Sequence, residues 1–215
     1  MGIVETIALT MGIGWASGIN LYAAVFMLGV LSVTGNIVLP EQLAILEDPL
    51  VIAAAGFMYV VEFVADKTPG VDTGWDAIHT FIRIPAGAVL AAGAVGDLGP
   101  GAELAAALVG GTLAAGSHAT KAGSRALINT SPEPFSNWTA SVAEDVVVIG
   151  GIWAALHHPI FFLVFLALFV ALAIWLLPRI WRGLKTVFAW LRRKLSGAPP
   201  DEPRSPPPPP VEQIL

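Results

Sequence analysis

Long apolar stretches without a charged residue constrain this chain more than any other feature of its sequence. Residues 6–34 carry no charged side chain, and residues 146–178 form a second such stretch that is too long for one ordinary span. About 20 apolar residues in a helix cross the hydrocarbon core of a bilayer. Charged residues make up only 13% of the chain, against about 25% in soluble domains. These features exclude a single water-soluble globule and predict an all-α integral membrane protein.

Six transmembrane helices are predicted, because His157-His158-Pro159 divides the last apolar stretch into two spans. The halves 1–98 and 99–178 resemble each other weakly, and three spans per half would make the second half an inverted repeat of the first. A model with four spans and re-entrant segments at 66–82 or 121–139 stays open. The predicted helices are 6–33, 49–65, 82–98, 102–120, 140–156 and 159–178.

The basic residues indicate the orientation of these helices. The connections 34–48, 97–103 and 157–158 contain none of the 11 Lys and Arg residues, although the first two contain acidic residues. Positive residues collect on the cytoplasmic side of membrane proteins. The sequence therefore predicts that both termini are cytoplasmic.

The C-terminal part of the chain has a different composition from the predicted spans. Residues 179–196 are basic and carry Trp181 and Trp190, which predicts an amphipathic helix at the membrane surface. Residues 197–215 contain eight Pro and are expected to be extended and disordered. The predicted partners are the lipid bilayer and an unknown protein that binds the Pro-rich tail, with a plain solvated tail as the alternative. A homo-oligomer stays open, and nucleic-acid binding is not expected.

A first polar stretch, residues 62–83, interrupts the apolar pattern. Glu62 and Asp66 are four residues apart on one helix face, and four further residues recur at spacings of four, three and four. Carboxylates and a histidine on one face are typical of a cation site or a proton relay. The alternative is structural, with Asp72 as a helix cap and Asp76 paired to a neighbour. The candidate site residues are Glu62, Asp66, Lys67, Asp72, Asp76, His79 and Arg83.

A second polar stretch, residues 118–137, begins near the end of the fourth predicted span. His118, Lys121 and Arg125 share a helix face, and a buried amide, Asn20, is expected to bond across helices, near His118 if the halves are repeats. The predicted topology places both stretches on the same, cytoplasmic side of the membrane. Charges left unpaired there would be costly, because the hydrocarbon of the bilayer is close. The further candidate site residues are Asn129, Glu133, Glu144 and Asp145.

Complementary charge predicts direct contact between the two stretches. We expect at least one carboxylate within about 4 Å of a basic nitrogen of the other stretch. Asp72 or Asp76 is the expected acid. Lys121 or Arg125 is the expected base.

Two functional hypotheses follow from these patterns. The first is a small membrane transporter or channel for an ion or small polar solute, proton-coupled and with a polar site that faces the cytoplasm. The second is a non-transporting scaffold or assembly factor whose salt bridges are structural. An enzyme that acts on lipid headgroups ranks last. No Cys, P-loop, dinucleotide fingerprint or metalloprotease motif is present, so no cofactor is predicted and no catalytic residue is proposed.

Five motifs stand out in the predicted membrane domain. They are Gly14-Trp-Ala-Ser-Gly-Ile-Asn20, Glu62-Phe-Val-Ala-Asp66-Lys-Thr-Pro-Gly-Val-Asp72, Trp75-Asp-Ala-Ile-His79-Thr-Phe-Ile-Arg83, His118-Ala-Thr-Lys121 and Asn129-Thr-Ser-Pro-Glu-Pro-Phe-Ser-Asn137. Together they resemble a bacterial membrane family known by a domain-of-unknown-function label, DUF4126. The resemblance covers residues 5–175 and implies an integral protein of the bacterial cytoplasmic membrane, with no established activity or substrate. The basic helix and the Pro-rich tail lie outside it.

A looser resemblance is to calcium/manganese–proton exchangers, whose inverted repeats each carry Glu-x-Gly-Asp-Lys-Thr/Ser. Here Glu62-Phe-Val-Ala-Asp66-Lys67-Thr68 has one extra residue between its acids and Ala before the Asp, and the second half has no matching lysine. Only the analogy of an acidic intramembrane cation site follows from it.

Overall fold

The computed structural model describes residues 2–68, 70–130 and 134–196. Within these ranges the chain forms six α-helices and no β-strand, so the predicted all-α fold is confirmed. Two short 3-10 helices, Glu41–Glu47 and Gly96–Leu98, lie in the connections. The α-helices are α1 (Ile3–Val33), α2 (Pro49–Ala65), α3 (Val71–Gly93), α4 (Pro100–Ile128), α5 (Pro134–His157) and α6 (Pro159–Ser196).

The helices agree with the predicted segments but extend further into the polar stretches. α2 has the predicted bounds, whereas α3 begins at Val71 instead of residue 82 and α4 ends at Ile128 instead of residue 120. The apolar stretches underestimate these helices because ionised side chains within them find buried partners. Residues 72–83 are therefore helical, and their spacing of four, three and four places Asp72, Asp76, His79 and Arg83 on one face of α3.

The basic segment 179–196 continues α6 without a break instead of forming a separate helix. Pro178 lies inside this helix and removes one backbone donor. The side chains of Arg179 and Arg182 donate to the carbonyl groups of Trp175 and Pro178, which supplies donors to this turn. The predicted Pro-rich tail, 197–215, lies outside the described residues.

Three helical segments, in α1, α5 and α6, are long and apolar enough to cross a membrane, which indicates a membrane protein. The bent pair formed by Glu41–Glu47 and α2, at an angle of 67°, would make a fourth. Within the part of the chain that the structure describes, neither α3 nor α4 is apolar enough over its length to count as a further candidate span. Six spans and the inverted repeat therefore stay predictions.

α1 lies at the centre of the helix bundle and α6 at its outside. In an apolar segment of 18 residues in α1, 56% of the residues are buried within the protein, against 17% in the corresponding segment of α6. Gly14 allows α1 to approach α4 closely, since an added Cβ would lie 2.6 Å from the Cα atom of Gly110. Trp15 packs edge-to-face against Phe165 of α6, with ring centroids 5.5 Å apart. This packing places the middle of α1 beside the polar residues of the other helices.

Candidate functional site

Four helices bring acidic and basic side chains together in a buried cluster, which we call the ionic network. Burial makes the network unusual, since ionised groups are costly away from water unless they are paired. Glu144 has the most exposed of these side chains, at 20%, and the others are exposed by 4% or less. The members are Glu62 of α2, Asp66 directly after α2, Asp76 and Arg83 of α3, Lys121 and Arg125 of α4, and Glu144 of α5.

Arg83 joins α3 to α2 through two charge-assisted contacts. Its Nη2 lies 2.7 Å from Oε1 of Glu62, and its Nη1 lies 2.8 Å from Oδ1 of Asp76. Asp76 is two helical turns before Arg83, so both lie on the same face of α3, as their spacing in the sequence predicts. The guanidinium of Arg83 is fully buried and forms ion pairs with two carboxylates from different helices.

Lys121 lies at the centre of the network. Its Nζ donates hydrogen bonds to Oδ2 of Asp66 at 2.7 Å, to the carbonyl oxygen of Ile19 at 3.1 Å and to Oε1 of Glu62 at 3.2 Å. These three bonds use all the donors of the ammonium group. Two further carboxylate oxygens lie within 4 Å of Nζ, from Asp76 at 3.9 Å and Glu144 at 3.8 Å.

The Ile19 carbonyl is available to Lys121 because α1 is interrupted at Asn20. Asn20 has φ of −147° and ψ of 93°, which are extended rather than helical values. In a continuous helix the amide of Ala23 would donate to Ile19, but here it donates to Oδ1 of Asn20 at 2.9 Å. Asn20 therefore acts as the N-cap of the second half of α1, and one backbone oxygen faces the network.

Arg125 connects α4 to α5 and to the end of α2. Its Nη2 and Nε lie 2.7 and 3.1 Å from the two carboxylate oxygens of Glu144, which is a bidentate pair. Nη1 donates to the backbone carbonyl of Asp66 at 2.9 Å, and to the backbone carbonyl and side-chain Oδ1 of Asn137. All three guanidinium nitrogens thus have partners, which lowers the cost of burying the charge.

His118 borders the network in a neutral form that its partners determine. Nδ1 lies 3.2 Å from Nη1 of Arg83, which can only donate, so Nδ1 accepts. Nε2 lies 2.7 Å from Oγ1 of Thr80, whose hydroxyl donates to the Asp76 carbonyl, so Nε2 carries the proton.

His79 has the opposite tautomer. Its Nδ1 lies 2.8 Å from the carbonyl oxygen of Trp75, which can only accept, so Nδ1 carries the proton. Nε2 then accepts from the hydroxyl of Tyr22, 3.0 Å away. Trp75 also stacks on the imidazole, with ring centroids 4.3 Å apart. His79 therefore links α3 to α1 without contacting a base of the second stretch.

Two acidic residues lie beside the network and pair with amides instead of bases. Asp72 accepts hydrogen bonds at 2.8 Å from Nδ2 of Asn129 to both of its oxygens. Asp145 accepts from Nδ2 of Asn20 at 3.0 Å, so the partner of Asn20 is Asp145 and not His118. Each amide satisfies a buried carboxylate oxygen without adding charge.

Lys67 lies outside the network. Its Nζ donates to the Phe63 carbonyl at 3.1 Å and to the Ser141 hydroxyl at 3.3 Å, and it lies over the Phe63 ring. Partial burial lowers the pKa of the Lys67 ammonium, against the opposing effect of Asp145 and Asp66.

Negative charge exceeds positive charge in the ionic network. Its four carboxylates face three basic groups, and Asp72 and Asp145 add two more buried acids at its border. Oε2 of Glu62, Oδ1 of Asp66 and Oδ2 of Asp76 are buried and accept no hydrogen bond from any residue that the structure describes. Burying a carboxylate oxygen without a partner is costly, and each of these oxygens could accept a proton or bind a cation.

An open cleft of about 210 Å³ borders the network. Lys121, Glu144 and Ile19 line this cleft, and Phe169 of α6 lines it as well. Across the residues that the structure describes, no group of three or more His, Asp or Glu is arranged to hold a metal ion. The basic side chains occupy the space between the carboxylates instead.

The contact predicted between the two polar stretches is confirmed. Asp66 makes the shortest contact with Lys121, at 2.7 Å, whereas the Asp76 contact of 3.9 Å is only just within the predicted limit. Of the two acids expected at the contact, Asp72 does not make it, because its partner is Asn129. Asp66, which immediately follows α2, belongs to the acids of the predicted contact but is not one of the two that were expected to pair. Glu133 lies outside the described residues.

Several residues that form hydrogen bonds in or beside the ionic network were not among the predicted site residues. Asn137 lies in a motif of the second stretch, so its polarity was a usable signal for its contact with Arg125. Tyr22 was a visible polar residue in an apolar span. Thr80, Ser141 and the backbone of Ile19 gave no signal, since their roles depend on packing and on the interruption of α1.

The family comparison agrees with the motifs of both polar stretches. A family model described as "Domain of unknown function (DUF4126)" matches residues 7–179, which cover α2 to α5, nearly all of α1 and α6 up to Arg179. The comparison with curated proteins gives no match, and neither does the comparison with solved structures. The match includes every member of the ionic network, and the chain belongs to the DUF4126 family.

Proposed function

We propose that this protein is a small membrane transporter or channel for an ion, coupled to protons, with the ionic network as its site. The interruption of α1 at Asn20 is the observation that carries the proposal. A buried apolar helix needs no break for stability, yet this break turns the Ile19 carbonyl toward the Lys121 ammonium at 3.1 Å. Discontinuous helices supply backbone groups to ion sites in many transporters.

The balance of charge supports the same function. A purely structural network is most stable when its charges cancel and every buried polar atom has a partner. This network has one carboxylate in excess of its bases, and three of its carboxylates each leave one oxygen unpartnered within the described structure. An excess of this kind suits a site that gains and loses positive charge.

The proposed topology places the network on the cytoplasmic side of a bacterial cytoplasmic membrane. Six spans with both termini cytoplasmic would put every Lys and Arg on that side. In this arrangement the halves 1–98 and 99–178 would be inverted repeats, as in many secondary transporters.

The alternative function is a non-transporting scaffold or assembly factor. One observation favours it: the ion pairs of Arg83, Lys121 and Arg125 connect α2, α3, α4 and α5. Links of this kind would fasten the helices to each other whether or not an ion passes.

A flux assay in proteoliposomes tests the proposal. We expect wild-type protein to carry protons together with sodium or potassium ions, measured with a pH-sensitive dye under an imposed salt gradient. The variants Glu62→Gln and Asp66→Asn should lose most of this flux, whereas Glu41→Gln, at an exposed residue of a connection, should retain it. Size-exclusion chromatography and circular dichroism verify that each variant is folded. Wild-type vesicles no more permeable than empty ones to protons, sodium, potassium and chloride would refute transport.

A further inference from the structure

The Nζ atom of Lys121 is enclosed by oxygen atoms from four different segments of the chain. Three lie at hydrogen-bonding distance, between 2.7 and 3.2 Å, and two more at 3.8 and 3.9 Å. Lys121 comes from α4, which supplies none of these oxygens. The oxygens belong to Ile19 of α1, Glu62 and Asp66 of α2 and its end, Asp76 of α3 and Glu144 of α5, and we call this set the oxygen cage.

The cage is formed by the bundle and not by the lysine. The Ile19 carbonyl is released by the cap that Asn20 gives to Ala23, two residues that make no bond to Lys121. Without the ammonium, the four carboxylates of the network would face only two guanidinium groups. In Glu62, Asp66 and Asp76, one carboxylate oxygen belongs to the cage and the other is buried without a hydrogen-bond donor among the described residues. The cage would therefore attract a free cation if Lys121 left it.

The dimensions of the cage favour a monovalent cation of the size of ammonium. Mg²⁺ and Ca²⁺ require oxygens at about 2.0–2.6 Å in close geometry, whereas the nearest cage oxygen is 2.7 Å from Nζ. Ammonium and potassium ions are nearly equal in size, so either would fill the position of Nζ without moving the carboxylates.

An open cleft in the described structure borders the cage, and it is the proposed route for an ion. The cleft of about 210 Å³ is lined by both Lys121 and Glu144, and Glu144 has the most exposed carboxylate of the cage. Ser117, Thr120 and Ser124 of α4 add hydroxyl groups along this cleft.

We infer that the oxygen cage is a binding site for a potassium-sized monovalent cation, and that Lys121 is a tethered cation that competes for it. The inference rests on the proposed function and names its substrate class. In one state the Lys121 ammonium fills the cage, and in the other a free potassium or ammonium ion does. Positive charge in the cage is kept constant, so the carboxylates stay paired in both states.

Thermal unfolding of purified protein in detergent tests the site directly. In Lys121→Ala the cage lacks its cation, so we expect KCl and NH4Cl to raise Tm by several degrees in a saturable way, as a ligand of the folded state does. Choline chloride at the same ionic strength should not. Wild-type protein should show a smaller rise of Tm in potassium salts than Lys121→Ala does, because its own ammonium competes for the cage. Lys67→Ala is the matched control, since its ammonium lies outside the cage.

A second variant covers the case in which Lys121→Ala does not fold. Lys121→Gln keeps most of the side-chain volume and is measured in the same salts. If either variant regains a folded state or a higher Tm in KCl but not in choline chloride, the result supports the inference. Equal Tm values in all salts, or no recovery of either variant in any salt, would overturn it.

Flux and binding distinguish the two proposals. Flux through wild-type protein without a potassium effect on the Lys121 variants would refute the cage and leave transport. Potassium stabilisation of the variants without wild-type flux would refute transport and leave the cage as a structural cation site.

Discussion

Asn20 donates from Nδ2 to Oδ1 of Asp145 at 3.0 Å, which ties the interruption of α1 to the middle of α5. Both side chains are buried, and the second oxygen of Asp145 accepts no hydrogen bond from the residues that the structure describes. The same amide group of Asn20 accepts from Ala23 through Oδ1. A single side chain therefore shapes α1 and satisfies a buried acid of another helix.

The first prediction is a strong energetic coupling between Asn20 and Asp145. We expect Asn20→Ala to lower the free energy of unfolding by about 2–4 kcal/mol, because it removes an N-cap and leaves a buried carboxylate without its donor. Asp145→Ala in the same background should then cost much less than it does alone. Denaturant titration of the single and double variants in detergent gives the coupling energy.

Additive effects would contradict this prediction. Independent sites add within about 0.3–0.5 kcal/mol, so a double variant inside that range would show that Asn20 does not stabilise Asp145. Asn36→Ala serves as the control, since the Asn36 amide donates to Thr34 in an exposed connection.

The sequence predicted most of the helix positions because long apolar stretches mark them. The sequence pattern predicted the bounds of α2 from apolar length and the division between α5 and α6 from Pro159. It did not predict the interruption at Asn20, since one polar residue in an apolar span fits both a continuous and a broken helix. The break depends on Asp145 and Lys121 being nearby, and these are distant in sequence.

The charges predicted that the polar stretches meet but not which residues pair. Complementary sign is a property of whole segments, whereas partner choice depends on the rotation and height of each helix. Asp66 and Asp72 lie close together in sequence, yet one reaches Lys121 and the other reaches Asn129. No composition or spacing rule separates these two carboxylates before α2 and α3 are placed relative to α4.

The second prediction concerns the tautomers of the two buried histidines. His79 should carry its proton on Nδ1 and His118 on Nε2, because the Trp75 carbonyl can only accept and the Arg83 guanidinium can only donate. ¹⁵N NMR of histidine-labelled protein distinguishes the two forms, with His79→Asn and His118→Asn providing the assignments. The same tautomer at both positions would show that at least one of these hydrogen bonds is absent in the protein.

The third prediction concerns helix packing at two glycines of α4. A Cβ at position 110 would collide with the side chain of Ala91 and lie 2.9 Å from the Gly87 carbonyl oxygen, whereas a Cβ at Gly116 meets no atom within 4 Å. We expect Gly110→Ala to destabilise the protein by about 1–3 kcal/mol through overpacking. Gly116→Ala should be neutral or stabilising by up to about 1 kcal/mol, because alanine favours the helix.

Thermal unfolding of the two variants in the same detergent provides the measurement. The substitution, the helix and the amino acid introduced are identical, so helix propensity cancels in the comparison. Equal Tm values for both variants would contradict the close approach of α3 and α4 at Gly110.

The last prediction is the orientation of the chain in the membrane. If both termini are cytoplasmic, the connection after α1 is external and the end of α4 is internal. The chain contains no native cysteine, so Glu41→Cys and Thr130→Cys are single reporters, and both positions are exposed in the structure. A membrane-impermeant thiol reagent added to intact cells should label the cysteine at position 41 and not the one at position 130. After the cells are permeabilised, both should react, which shows that the unlabelled position is accessible. Labelling of Thr130→Cys in intact cells would contradict the predicted orientation, because it would place the second polar stretch, and with it Lys121 and Arg125, near the external face.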